Sequence, residues 1–176
     1  GTYSTWRGAG SVVAGREVGL GATADGFAQI GITVASGAGT MAVTARTNLD
    51  MGGIINPTVM PSINSPRRYF YTYLADDALN LTSVGGRLRI LNDFDSFAAN
   101  IGGADAGSVF AFGIGAPTFR AHAASGDVEL LGAVRLLPSP TGQAEIIAGG
   151  SILAANRGVD FLMSDSDPAG LPTASR

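Results

Sequence analysis

The sequence predicts an all-β chain wound as a right-handed parallel β-helix, a solenoid with coils of about 20–24 residues. Three observations point there. Short runs of alternating apolar and polar residues lie between glycine, proline, serine and asparagine, so each run is a strand and each gap a turn. Strand openings of one type, glycine then polar residue then β-former, recur along the chain. No long amphipathic window competes as a helix, and Asp25-Gly26 is the one tight-hairpin signal. The general crossover rule for parallel strands supplies the right hand.

In chain order, Gly10 to Leu20 reads as two short strands separated by Ala14-Gly15. Phe27 to Val34 and Thr40 to Ala45 follow, the second with Met41, Val43 and Ala45 on one face. Residues 46–66 carry Gly52-Gly53, Asn56-Pro57, Pro61 and Ser65-Pro66 and read as a loop. Tyr69 to Tyr73 is an aromatic strand, followed by Leu79 to Leu81 and Leu88 to Leu91. Residues 92–106 form a second loop, with one helical turn expected at 95–100. Val109 to Ile114 and Thr118 to Ala123 return to strands.

Ser125 to Asp165 then packs four strands between short turns: Asp127 to Leu130, Ala133 to Leu136, Ala144 to Ile146 and Gly150 to Leu153. The β-helix segment is therefore expected over 1–163, and residues 164–176, rich in Pro, Ser and Asp, read as a linker or tail.

The repeat length comes from the glycine-led openings at Gly86, Gly107, Gly126 and Gly150, spaced 21, 19 and 24 residues apart. Gly15 and Gly39 are 24 apart, and Gly39 to Gly86 is 47, close to two such steps. One coil cannot bury its own apolar face, but stacked coils bury a continuous column of Val, Leu, Ile, Ala and Phe. The alternative is an antiparallel β-sandwich or barrel, which also has short strands and frequent turns.

Composition narrows the function classes. The chain has 176 residues, 45% hydrophobic and 14% charged, with 26 glycines, which suits one folded domain rather than disorder. Its 11 basic residues are all arginine and its net charge is -3, so the electrostatic footprint of a nucleic-acid binder is missing. The apolar stretches are broken by glycine before reaching the ~18 residues of a spanning helix. Without cysteine there is no disulfide, thiolate metal site or cysteine nucleophile. The pattern Gly-x-Ser-x-Gly does not occur, and no glycine-rich phrase has phosphate-cradle spacing. The start at Gly1, directly in strand-like text, is read as a segment of a longer protein.

Tyr69 to Asn92 and Ser125 to Pro172 resemble segments of large bacterial surface exoproteins, the filamentous-haemagglutinin-like family of two-partner secretion. The resemblance lies in Gly-Asp-Val and Gly-Gly-Ser-Ile strands, an Ala-Gly-Gly turn and the Met-Ser-Asp-Ser-Asp-Pro phrase from Met163. It implies a right-handed β-helix shaft at the bacterial outer-membrane surface or secreted, acting as adhesin, biofilm component or stalk. It implies no catalytic residues and no cofactor, with a host-cell or surface glycan or protein as partner. Independently of the resemblance, exposed coil ends could stack head to tail into a filament of copies of the chain through unpaired strand edges.

Candidate residues are few. If Tyr69, Tyr71 and Tyr73 share an external face, they form a stacking platform for sugar rings or a partner, with Arg67 and Arg68 as its rim. Asp93 and Asp95, two residues apart, are a weak Ca²⁺ candidate. Asp76 and Asp77 read as turn aspartates that bond backbone amides. His122 shares a face with Arg120, opposite Phe119, Ala121 and Ala123, and is expected at the surface. The alternative from another class is a carbohydrate-active β-helix enzyme, a polysaccharide lyase or hydrolase, using Asp93, Asp95 or Asp76 with Arg120.

Overall fold

The computed structural model describes residues 2–5, 9–19, 32–36, 39–54, 73–92, 114–154 and 159–163. These form an all-β structure of strands β1 (Thr2–Thr5), β2 (Gly10–Ala14), β3 (Ile32–Ser36), β4 (Thr40–Ala45), β5 (Leu49–Ile54), β6 (Ala78–Ser83), β7 (Leu88–Ile90), β8 (Ile114–Gly115), β9 (Thr118–Ala123), β10 (Val128–Leu130), β11 (Val134–Leu136), β12 (Ala144–Ala148), β13 (Ile152–Ala154) and β14 (Phe161–Leu162).

They build three sheets. The six-stranded sheet runs β1-β3-β5-β7-β10-β13, the five-stranded sheet β12-β9-β6-β4-β2, and the three-stranded sheet β14-β11-β8. Every pairing among the described strands is parallel, which sets aside the antiparallel sandwich or barrel. Consecutive strands belong to different sheets, and each except β1, β2 and β8 lies beside a strand from an earlier pass of the chain. Thus β9, β10 and β11 visit the five-, six- and three-stranded sheets in turn, and β12, β13 and β14 repeat the order.

The alternation of the sequence sets which side chains enter the core. In β4, Met41, Val43 and Ala45 are buried; in β9, Phe119, Ala121 and Ala123 are. Register stacks these residues into columns: Met41 beside Leu79 beside Phe119, and Val43 beside Leu81 beside Ala121. The six-stranded sheet contributes Leu49, Leu88 and Val128 in one column and Met51, Ile90 and Leu130 in the next. Burying a Leu or Ile side chain contributes about 1.5–3 kcal/mol, so these columns are the main source of cohesion.

The corners between sheets are held by side chains that bond the next pass. Asn48 Oδ1 accepts the Arg87 N–H at 3.2 Å, and Asp127 Oδ1 accepts the Ser151 N–H at 2.7 Å. Both acceptors sit one residue before an inward-facing strand residue, Leu49 and Val128. At another corner Asn92, buried at φ 44°, adopts the left-handed conformation that asparagine tolerates better than most residues.

Several expectations need correction. Leu49–Ile54 is a strand, not part of a loop over 46–66, because Leu49 and Met51 alternate inward and Gly53 fits the extended strand. Among the described residues after Gly15, up to residue 19, an isolated bridge forms from Val18 to Leu49 rather than a second strand. Gly86 and Gly126 are not two coils apart: Leu88 lies directly beside Val128, 40 positions later in the chain. The pass from Val128 to Ile152 takes 24 residues. Gly15 and Gly39 are not equivalent either, since one follows β2 and the other precedes β4. Gly107, the 95–100 turn, most of 109–114 and the 164–176 tail lie outside the described residues.

Candidate functional site

The outward positions of the sheets carry the polar groups. On the five-stranded sheet, β6 presents Asn80 and Thr82, β9 presents Arg120 and His122, and β12 presents Glu145 and Ile147. Register puts Asn80, Arg120 and Glu145 in one row and Thr82, His122 and Ile147 in the next.

Within that face the groups satisfy one another. Arg120 donates to Asn80 Oδ1 at 3.4 Å and to Gln143 Oε1 at 3.1 Å. Glu145, directly across from Arg120, instead reaches diagonally to His122 Nε2 at 2.5 Å. The six-stranded sheet has a comparable row, Asp50 beside Arg89 beside Glu129. There Arg89 pairs with Glu129 at 2.8 Å, and Arg87 with Asp50 at 3.3 Å. Each ion pair joins strands from successive passes. Chemically, these contacts tie neighbouring strands to one another and favour their register.

As the alternation predicts, Phe119, Ala121 and Ala123 face inward, and Arg120 and His122 outward. Asp77 is a turn aspartate: its carboxylate accepts the N–H groups of Gly39 and Leu74, and it is buried in doing so. Asp76 is exposed and accepts a hydrogen bond from Thr141 Oγ1 at 3.3 Å.

Tyr73 does not belong to an exposed platform. It is 3% exposed and packs in the hydrophobic core, outside any strand, so strand alternation does not govern its direction. Tyr69, Tyr71, Arg67 and Arg68 lie outside the described residues, as do Asp93 and Asp95. Among the described residues no three His, Asp or Glu side chains cluster as a metal site would require, and no helix is long and apolar enough to cross a membrane.

Sequence reasoning missed the partners of Arg120 and His122. Gln143 and Glu145 are 23 residues away from them, and only the register of β12 on β9 brings them together. It also missed a change of character at the last pass. Ile147, Leu153 and Leu162 occupy the outward positions beside His122, Glu129 and Arg135, replacing polar groups with exposed apolar ones. Ile152, an inward column residue, is 55% exposed there, and among the described residues β12, β13 and β14 each have one unpaired edge.

Searches against protein-family models, curated proteins and solved structures find no match to this chain.

Proposed function

We propose that the chain is a non-catalytic shaft segment, a right-handed parallel β-helix whose coils hold adhesive loops on a stiff rod. The setting is a secreted protein at the bacterial surface, of the filamentous-haemagglutinin-like kind, serving adhesion, biofilm formation or a stalk. A host-cell or surface glycan or protein is the partner. One observation carries this reading: the chain passes repeatedly through three parallel sheets, each strand returning beside its predecessor with apolar columns inside. Parallel strands connected this way cross over with a right hand in nearly all known cases.

The outward faces support a scaffold role, because Arg87–Asp50, Arg89–Glu129 and His122–Glu145 bond one another across neighbouring strands. The test is to incubate the purified chain with acidic and neutral polysaccharides, analyse products by mass spectrometry, and measure its adsorption to glycan-coated and cell surfaces. Adsorption without products is expected. Shortened or unsaturated oligosaccharides that vanish on Asp93→Asn or Asp95→Asn would replace the shaft with an enzyme.

A second reading is a self-assembling filament subunit: among the described residues β12, β13 and β14 each keep one unpaired edge, with Ile147, Leu153 and Leu162 exposed beside it. Free parallel edges flanked by apolar side chains are templates for further strands. Sedimentation velocity over a concentration series tests it. Mass that climbs with concentration and falls back on Leu153→Lys supports assembly; a constant monomer mass removes it.

A further inference from the structure

We draw no further inference here: the strongest candidate, the polar cluster of Arg120, His122, Asn80, Gln143 and Glu145 on the outer face of the five-stranded sheet, belongs to the site already described, and its groups bond one another and so point to no ligand.

Discussion

Asn92 Oδ1 accepts the backbone N–H of Ile54, 38 residues earlier in the chain, at 3.0 Å in a buried setting. The same carboxamide donates through Nδ2 to the carbonyl of Ala133, 41 residues later, at 2.9 Å. One side chain therefore ties three passes of the chain together at a corner where the strands themselves do not supply the bonds. An amide suits this position because it carries an acceptor and a donor on one flat group.

Replacing Asn92 by Ala should cost about 2–4 kcal/mol, since it leaves a buried donor and an acceptor unpaired. Asn92→Gly should cost less, because glycine relieves the strain at φ 44° while still losing both hydrogen bonds. Urea unfolding of the three proteins checks the order. Equal stability of the Ala variant and the parent would mean that water satisfies both groups and the corner is open.

The turn glycines make a second contrast. A Cβ on Gly126 would stand 2.5 Å from the Gly86 carbonyl oxygen, a rigid backbone atom of the preceding pass. On Gly53 it would meet nothing within 4 Å. Gly126→Ala should lose about 1–3 kcal/mol by overpacking. Gly53→Ala should stay within about 0.5 kcal/mol of the parent. Thermal melts monitored by circular dichroism separate the two, and a tolerated Gly126→Ala would show that the stacked turns can spread.

How far the sequence could be read follows from the same stacking. The alternation in Thr40–Ala45 and Thr118–Ala123 was legible because each run has a period of two and one wholly apolar face. Leu49–Ile54 was not, since Gly52-Gly53 reads as a breaker although the strand has room there. The glycine-led openings did not give the spacing at which strands stack. Gly86 and Gly126 stack directly, while an intervening opening at Gly107 suggested a coil between them. Outward placement of Arg120 and His122 was legible for the same reason as the strand. Their partners were not, because register between distant strands is a tertiary property that spacing alone does not carry.

Position within one column should decide the cost of truncation. Leu88 and Ile152 occupy the same column, separated by Val128, yet Leu88 is 0% exposed. Leu88→Ala should cost about 2–5 kcal/mol, the range for a filled interior site that leaves a cavity. Ile152→Ala at the open last pass should cost about 1 kcal/mol or less, because over half of the side chain already meets solvent. Denaturant midpoints at constant slope give both values. A large loss at Ile152 would mean that this edge is covered by packing in solution.

The Arg89–Glu129 pair tests whether the outward charges stabilise or specify. The two residues are direct cross-strand neighbours, and both side chains are partly shielded, at 29% and 20% exposure. A double-mutant cycle with Arg89→Ala and Glu129→Ala should yield a coupling of about 0.2–1 kcal/mol that shrinks in high salt. Reversing the pair, Arg89→Glu with Glu129→Arg, should not restore the parent stability. Asp50 lies on the other side of Arg89 in register, so the row would change from acid-base-acid to acid-acid-base and set two carboxylates side by side. A shift of β7 by one residue would also expose Leu88 and Ile90 and turn Arg89 inward, so the charge row and the apolar column select the same register. Full recovery in the reversed protein would show that Asp50 exerts no influence on position 89, and that the row is a set of independent surface pairs.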